Sequence, residues 1–498
     1  MEAPWQIPGY LEARDQHLTM DRLDLVNLAA MRDTPLYVYS TRRIIETARE
    51  MRRAFDSRHP KAVVCYASKA LSAIKVLRLL RAEGLSIEVN SGGELYRAKR
   101  AGFNPAQIVF NGVSKTVQEL RDALSPPIKA INVDSLFELS RIIEVARAAK
   151  VRANIALRLV PEVDTATSPG NKTGSERSKF GIRRREMAAA CTMIREAGEA
   201  VLTVGLHGHI GSQITSTAPY AAAVTRLADL FRELQRGVGY PLNHINIGGG
   251  FPLTYLRAAR GSAAADSTAP GCPAPGGPAP GCPAPESPQG GIFCPPIDVD
   301  DIAATVLPIL LKKLSARVEV LVEPGRRLVG DSAVMLSRVE NTKERSDGRW
   351  LYLDAGYNVL VESYTYKWYY HMLTANKLGE ATTEFRVAGP LCDNGDAFFD
   401  VDGEQTVERL IESDPAFAGK RALLESQLVR LPRMRQLARS TAPGDLIAFL
   451  DTGAYTLDQF TPNNGRPRPE VGIIDGAGRY EILRRRDTLS DLLYNEDL

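Results

Sequence analysis

The chain has 498 residues, which is too long for one ordinary domain and predicts two. Hydrophobic residues make up 44% of the sequence and charged residues 24%, the proportions of a soluble globular protein. The net charge of +3 is too small to indicate a nucleic-acid or acidic-membrane partner, and no segment approaches the roughly 18–20 consecutive apolar residues that a membrane helix needs.

The first residues and the cysteines indicate a compartment. Residues 1–5 carry no basic flank followed by an apolar core, so we expect no secretory signal. The six cysteines are scattered without the spacing of metal ligands, which is typical of reduced thiols. The sequence therefore predicts a cytoplasmic protein without a metal site.

Between residues 36 and 324, apolar strand candidates alternate with amphipathic helical stretches. A doubly wound open sheet has the same alternation, but eight strand–helix units favour a parallel (β/α)8 TIM barrel, and the fold class is α/β. The eight strand candidates are residues 62–66, 86–89, 107–110, 130–133, 153–159, 202–207, 244–247 and 317–322.

Three further segments complete the predicted organisation. The barrel spans residues 41–324 and contains an insert, residues 258–292, whose Ala-Pro-Gly-Cys repeat has little to bury and is predicted to be disordered. Residues 325–498 show β-like runs separated by turn residues, which predicts a second, mostly antiparallel β domain. Residues 1–40 are predicted to contribute to that domain through the strand at 36–39.

Chemically active residues follow several of these strands, at the face of a barrel where catalysis takes place. Lys69 follows the first strand, Gly248, Gly249 and Gly250 follow the seventh, and Glu323, Gly325 and Arg326 follow the eighth. Such a lysine alone is typical of the solvated surface, a glycine run alone of a tight turn, and a Glu–Arg pair of an ion pair. Together they indicate a phosphorylated cofactor held covalently through the lysine.

Five other residues are candidates for a functional role, and several of them also have a structural interpretation. His207 and His209 alternate along the sixth strand, and His209 at its end is the better candidate to face a ligand, with Ser212 as a second donor. Cys392 lies in the turn of residues 389–393 between two predicted strands rather than in an evident core position, so a reactive role stays open. Tyr455 follows a strand and is equally consistent with a core tyrosine.

Eight ordered motifs carry a resemblance to a known family. The chain resembles the alanine-racemase-fold pyridoxal-phosphate decarboxylases, and the diaminopimelate decarboxylases in particular, from about residue 34 to residue 475 outside the insert. The motifs are residues 66–69, 91–95, 178–181, 209–213, 248–250, 323–326, 389–392 and 453–455.

The resemblance implies a pyridoxal 5'-phosphate cofactor and a role for each candidate. Lys69 is implied to hold the cofactor covalently, His209 to stack on its ring and Glu323 to face its ring nitrogen. Cys392 is implied to be the acid that protonates the product from the second subunit of a homodimer with shared active sites. The implied phosphate-binding residues are Ser212, Gly248, Gly249, Gly250, Gly325, Arg326 and Tyr455, of which Arg326 and Tyr455 are also implied to contact substrate.

The departures from the family pattern concern the substrate. Glu362 stands where diaminopimelate decarboxylases usually have an arginine for the distal carboxylate, Tyr366 is retained, and Asp393 replaces a glutamate. An acid in place of an arginine favours a substrate with a cationic far end. The expected function is thus an amino-acid α-decarboxylase acting on meso-diaminopimelate, with a basic or specialised amino acid as the alternative. A racemase is disfavoured by Glu323, and a non-catalytic homologue by the presence of both Lys69 and Cys392.

Overall fold

The protein is described by a computed structural model covering residues 5–162, 178–253 and 297–496. The chain forms two compact units. The β unit comprises Met1–Ile44, Leu253–Pro295 and Val329–Leu498, and the barrel unit comprises Ile45–Pro252 and Pro296–Leu328. These boundaries lie four residues beyond the predicted ones at 40/41 and 324/325. The predicted disordered insert at 258–292 lies outside the described residues.

The first part of the β unit is a small antiparallel sheet followed by a helix and a longer strand. The side chain of Asp24 caps the helix, since its carboxylate accepts from the backbone N–H groups of Val26 and Asn27. The elements are β1 (Leu11–Arg14), β2 (His17–Met20), β3 (Leu23–Asp24), α1 (Leu25–Arg32) and β4 (Leu36–Ser40).

The barrel unit contains eight parallel strands, and the ladder closes where β12 pairs with β5. Its strands are β5 (Ala62–Ala67), β6 (Ser86–Val89), β7 (Ile108–Phe110), β8 (Ala130–Val133), β9 (Ala153–Arg158), β10 (Val201–His207), β11 (His244–Asn246) and β12 (Glu319–Val322). Its helices are α2 (Thr41–Asp56), α3 (Ile74–Ala82), α4 (Gly92–Ala101), α5 (Val117–Ala123), α6 (Leu136–Ala149), α7 (Met187–Ala197), α8 (Thr217–Val238) and α9 (Val299–Lys313).

The barrel confirms the predicted fold class, and each strand begins and ends within two residues of its predicted range. The strands are nearly continuous apolar runs because helices cover the outer face of a parallel barrel. A layer of small and branched side chains fills the interior: Cys65, Val109, Ala130, Ala156, Val204 and Leu321. Polar residues in these strands are therefore conspicuous, and they mark the functional end.

The remainder of the β unit is a mostly antiparallel sheet, which also agrees with the prediction. In it β4 pairs antiparallel with β13 and parallel with β19, so an early strand lies among late ones. The elements are α10 (Arg326–Val329), β13 (Ala333–Arg345), β14 (Gly348–Leu353), α11 (Val361–Thr365), β15 (Met372–Thr374), β16 (Thr382–Ala388), α12 (Val401–Ser413), α13 (Arg421–Leu428), β17 (Arg435–Ala438), β18 (Leu446–Leu450), β19 (Glu470–Ile474) and β20 (Tyr480–Arg484).

Candidate active site

Lys69 lies on a single helical turn, Ser68–Ala70, directly after β5. The lysine is exposed while both of its neighbours are buried. Hydrogen bonds hold the turn from two sides: the Ser68 hydroxyl donates to Glu94 Oε2 over 2.6 Å, and the Ala67 N–H donates to the Pro324 carbonyl over 3.0 Å. The turn therefore presents Lys69 from a rigid support beside the end of β12.

Glycines bring the predicted motifs of the barrel unit into contact. A β-carbon on Gly325 would lie 3.1 Å from the β-carbons of Ala67 and Ala70, so the lysine turn packs directly on this backbone. A β-carbon on Gly249 would lie 2.4 Å from the carbonyl oxygen of Glu323, closer than such contacts occur. Only glycine allows the loop after β11 to approach the end of β12 this closely.

His209 lies against the same glycine loop. The Gly249 N–H donates to His209 Nδ1 over 3.1 Å, so Nδ1 is the acceptor and a neutral ring carries its hydrogen on Nε2. Burial and the nearby Lys69 charge hold the pKa of His209 well below its ordinary value. The imidazole is thus uncharged at neutral pH, which suits a ring that packs on an aromatic cofactor.

Further hydrogen-bond donors lie in this glycine loop and beside it. Gly250 has a φ of +97°, and a β-carbon there would lie 2.6 Å from the carbonyl oxygen of Gly211, so Gly250 adjoins the residue before Ser212. Among the described residues, neither the Gly250 N–H nor the Ser212 hydroxyl has a hydrogen-bond partner. Arg326 is buried directly after Gly325. Backbone N–H groups, a hydroxyl and a guanidinium are the donors that bind phosphate.

Glu323 is buried at the end of β12 and accepts three side-chain donors. Asn246 Nδ2 lies 2.7 Å from Oε1, His207 Nε2 lies 3.2 Å from Oε2, and Asn111 Nδ2 lies 3.1 Å from Oε2. Burial alone would raise the pKa of Glu323, but His207 and Asn246 outweigh it and lower the pKa to about 2. The carboxylate is therefore ionised in a buried site, ready to accept a hydrogen bond from a protonated ring nitrogen.

The remaining candidates lie in the β unit. Cys392 is exposed and belongs to the loop of residues 389–396, here called the cysteine loop. The loop leads from β16 into helix α12, so the sequence-based view of a turn between two strands was wrong; the helix begins at Val401 after an Asp400 cap. Asp396 shapes the loop, since its carboxylate accepts from the N–H groups of Leu391 and Tyr357, each over 2.8 Å.

Tyr357 links the cysteine loop to α11, which carries Glu362. Its ring stacks on Tyr364 with centroids 4.8 Å apart, and its hydroxyl donates to Asp393 Oδ2 over 2.7 Å. Burial and the Asp393 carboxylate raise the pKa of Tyr357 to about 12. Glu362 is buried, with 3% of its surface exposed, whereas Tyr366 is 45% exposed. The Asp393 and Glu362 regions are thus joined through one aromatic pair.

Tyr455 follows β18 and is half-buried, with a φ of +57°. This backbone conformation is uncommon for a bulky residue and is found where surrounding structure holds the chain. The preceding Gly453 explains part of it, because a β-carbon there would lie 1.8 Å from the Val329 carbonyl oxygen. The loop after β18 is therefore pressed against the end of α10 and its orientation is constrained.

Sequence reasoning missed most of the polar side chains that surround Glu323. Glu88 and Asn132 lie within barrel strands and Asn246 ends β11, whereas His207 was considered only as the less favoured partner of His209. A usable signal was present, because a carboxylate or carboxamide inside an apolar strand requires a buried partner. Asn111 directly follows β7.

The described residues contain neither a metal-ligand cluster nor a membrane-spanning helix. No group of three or more His, Cys, Asp or Glu side chains in residues 5–162, 178–253 and 297–496 has a geometry that could hold a metal ion. Within the same residues no helix is both long and apolar enough to span a bilayer.

The donor set of the barrel unit fits the cofactor that the sequence resemblance implies. Pyridoxal 5'-phosphate needs a lysine, a phosphate cradle and an acid for its ring nitrogen. Lys69, the unpartnered donors at Ser212 and Gly250 and the ionised Glu323 match these needs.

Comparisons with known proteins agree with this geometry. Residues 41–270 match the family described as pyridoxal-dependent decarboxylase, pyridoxal binding domain. The diaminopimelate decarboxylase of Methanothermobacter thermautotrophicus is 31% identical to this chain, and that of Aquifex aeolicus is 30% identical. Each match covers 98% of this chain and 97% of the relative. The crystal structure of the diaminopimelate decarboxylase of Methanocaldococcus jannaschii in complex with L-lysine superposes with a TM-score of 0.78 at 28% identity, covering 98% of both chains. The chain therefore belongs to the pyridoxal-dependent decarboxylases and is a pyridoxal 5'-phosphate-dependent amino-acid decarboxylase.

Proposed function

We propose that this enzyme converts meso-diaminopimelate to L-lysine. The observation that carries the proposal is the likeness to diaminopimelate decarboxylases over nearly the full length of both chains, including the β unit. One such relative has been crystallised with L-lysine, the decarboxylation product. In the reaction the bond between Cα and the carboxylate breaks, carbon dioxide leaves, and a proton takes the place of the carboxylate on Cα.

The barrel residues bind and orient the cofactor in this proposal. When bound, pyridoxal 5'-phosphate takes up the electron pair that remains on Cα. Lys69 would hold it covalently, and His209 would pack its neutral imidazole against it. Glu323 would keep the ring nitrogen protonated, because a buried ionised carboxylate stabilises a neighbouring cation. The phosphate-binding groups are Ser212, Gly248, Gly249, Gly250, Gly325, Arg326 and Tyr455.

The acid of the reaction is Cys392, whose thiol donates the proton to Cα. Its exposure and the rigid backbone of the cysteine loop support this role, because a donor that serves another surface has to project from its own. We place it in the active site of the second subunit of a homodimer. A head-to-tail arrangement of this kind gives two equivalent shared sites.

The proposal also includes the cellular location and the partners of the enzyme. The enzyme acts in the cytoplasm on a free amino acid, as part of lysine formation. Its thiols fit this location, since both Cys65 and Cys191 are buried as unpaired cysteines and Cys392 is exposed. A nucleic-acid or membrane partner is not part of the proposal, in keeping with the net charge of +3.

A second candidate is the decarboxylation of a basic amino acid such as ornithine, lysine or arginine. The specific observation in its favour is the pair of acids, Glu362 and Asp393, that the Tyr357–Tyr364 stack connects. Two carboxylates would attract a cationic far end and repel a distal carboxylate. The two candidates share every cofactor contact and differ only in this pocket.

A substrate panel tests the proposal. Carbon dioxide release is measured from meso-diaminopimelate, ornithine, lysine and arginine, in both enantiomers where they exist, with added cofactor. Turnover of meso-diaminopimelate at a kcat/KM at least about 100-fold above the others would support the proposal, since a matched polar site discriminates by that much or more. Turnover of a basic amino acid with diaminopimelate inert would overturn it in favour of the second candidate.

Glu362 variants sharpen the panel. In Glu362→Gln the charge is removed at nearly constant size, and Glu412→Gln on the exposed face of α12 is the matched control. If the site binds a cationic end, the first variant loses about 10-fold or more in kcat/KM for the basic substrate, the effect of one charge-assisted contact. If diaminopimelate is the substrate, its kcat/KM is unchanged or rises, and the control variant changes nothing.

A further inference from the structure

The carboxamide of Asn111 lies between two buried carboxylates. Its Nδ2 is 2.8 Å from Glu88 Oε1 and 3.2 and 3.1 Å from Oε1 and Oε2 of Glu323. A carboxamide has two N–H hydrogens, so one serves Glu88 and the other is shared by the oxygens of Glu323. Asn111 is thus the only side chain in the described residues with a hydrogen bond to both acids.

A residue of strand β8, Asn132, fixes the orientation of this carboxamide. Asn132 Nδ2 donates to Asn111 Oδ1 over 2.7 Å, which leaves Nδ2 of Asn111 to face the acids. The reversed orientation would place the Asn111 oxygen against an ionised Glu323 and its NH2 against that of Asn132. Both contacts would be repulsive, so the hydrogen-bond network permits one orientation.

The two acids have different surroundings. Glu323 has further donors in Asn246 and His207, whereas Glu88 Oε2 is buried without a hydrogen-bond partner among the described residues. Burial raises the pKa of Glu88 to about 8 against the opposing charge of Lys69, while the pKa of Glu323 is lowered to about 2. The charged or titratable groups that act on this pair include Cys65, Lys69, Glu94, Arg158, His207, His209 and His244.

We propose that Asn111 is a positioning residue that holds Glu323 ionised and aimed at the cofactor ring nitrogen, and that its second hydrogen bond, donated to Glu88, anchors the carboxamide in place. Two neighbouring carboxylates favour a single shared proton, because both cannot ionise at low cost in a buried site. The number of hydrogen-bond donors decides which acid carries the shared proton. Glu323 has three side-chain donors and Glu88 has one, so the proton stays on Glu88. Asn111 donates to both acids, so its loss would free the Glu323 side chain and raise the pKa of both carboxyl groups.

This inference rests on the proposed role of Glu323, and it has consequences that do not depend on turnover. In the cofactor-free protein, one buried protonated carboxyl group exists at neutral pH and is assigned to Glu88. In the cofactor-loaded protein, the ring nitrogen has an ionised partner over the whole neutral range. Without Asn111, the partner is no longer held in one orientation and the visible absorbance of the bound cofactor changes.

The experiment compares wild-type protein with Asn111→Leu, which removes the carboxamide at similar volume. Infrared difference spectra of cofactor-free protein follow the protonated carboxyl between about pH 6 and about pH 10, and visible spectra follow the loaded protein. We expect the infrared midpoint to move by about one pH unit or more and the cofactor Kd to weaken about 10-fold. Glu88→Gln assigns the infrared band, since it should abolish it.

Two further variants make the outcome decisive if Asn111→Leu does not fold. Asn132→Ala leaves Asn111 in place but releases its orientation, and we expect the same changes at smaller size. Asn154→Ala is the matched control, because Asn154 is a barrel carboxamide that donates to the Ile128 carbonyl away from both acids. An unchanged infrared midpoint, absorbance and Kd in both Asn111→Leu and Asn132→Ala would overturn the inference.

The same experiment separates this inference from the proposed role of Glu323. Glu323→Gln is measured alongside for cofactor Kd and visible absorbance. If Glu323→Gln changes both properties and Asn111→Leu changes neither, only the inference fails. If Glu323→Gln also leaves them unchanged, Glu323 does not face the ring nitrogen and the proposed function loses this role.

Discussion

The buried end of the barrel and the cysteine loop are built in opposite ways. In the barrel, Glu323 receives hydrogen bonds from three strands, and glycines at 249 and 325 allow the backbones to touch. In the cysteine loop, Cys392 is exposed and its N–H is held by Asn464 Oδ1 over 2.7 Å. The barrel region is organised to set charge on a cofactor, and the loop is organised to present a thiol outward.

This contrast teaches which part of the reaction each region can control. A buried network of fixed donors sets which groups are ionised, because each unmet hydrogen bond there costs about 1–3 kcal/mol. An exposed thiol on a backbone-supported loop has no such network and depends on what it meets. In the proposed function, cofactor binding would depend mainly on residues of the barrel unit, whereas delivery of the proton would depend on assembly.

Replacement of Lys69 has the largest expected effect. Lys69→Ala should lower kcat by about 10⁴-fold or more and abolish the covalent cofactor absorbance, since no other group supplies the amine. Lys61→Ala is the matched control, because Lys61 precedes the same strand at its opposite end and is exposed. Retained absorbance in Lys69→Ala would show that another lysine holds the cofactor.

Replacement of Cys392 should impair proton delivery without impairing cofactor binding. Cys392→Ala is expected to lower kcat by about 100-fold through loss of the proton donor, with cofactor absorbance and Kd unchanged. Cys191→Ala, on helix α7, is the control and should retain activity. An equal loss of cofactor affinity in Cys392→Ala would mean that the loop contributes to cofactor binding and that the contrast is wrong.

Gly250→Ala tests the phosphate cradle alone. A β-carbon there would meet the Gly211 carbonyl at 2.6 Å in a left-handed conformation, so we expect cofactor Kd to weaken about 10-fold and stability to fall by about 1–3 kcal/mol. Gly239→Ala shares the positive φ, at +86°, but has nothing within 4 Å. The control should lose stability without any change in Kd.

The pH dependence of stability is the smallest effect and is measured by urea unfolding of cofactor-free protein. Because the pKa of Glu88 rises from 4.5 to about 8 on folding, its contribution to stability falls as the pH rises through that range. The lowered pKa of Glu323 acts oppositely, and stability is lost as the pH falls from 4.5 towards about 2. Glu88→Gln should flatten the upper range, and Glu144→Gln, exposed on α6, should not. An unchanged slope in Glu88→Gln would assign the dependence to another group.

The sequence predicted the barrel well because its strands are apolar runs interrupted by turn residues at every end. It also placed Lys69, His209 and Glu323 just after strands, one or two residues beyond the ends of β5, β10 and β12. The hydrogen-bond network around Glu323 was not predictable, since Glu88, Asn132 and Asn246 are far apart in sequence and meet only through closure of the barrel. Helix α12 was missed because its segment, Val401–Ser413, contains Gly403 and few apolar residues.

Subunit complementation tests the central claim most directly. Lys69→Ala and Cys392→Ala proteins are each purified, shown to be nearly inactive, then mixed and allowed to exchange subunits. If the barrel of one subunit uses the cysteine loop of the other, half of the dimers are mixed and each has one intact site, so activity should recover to about a quarter of wild type. Failure to recover activity, with subunit exchange demonstrated, would mean that Lys69 and Cys392 do not act together across a dimer.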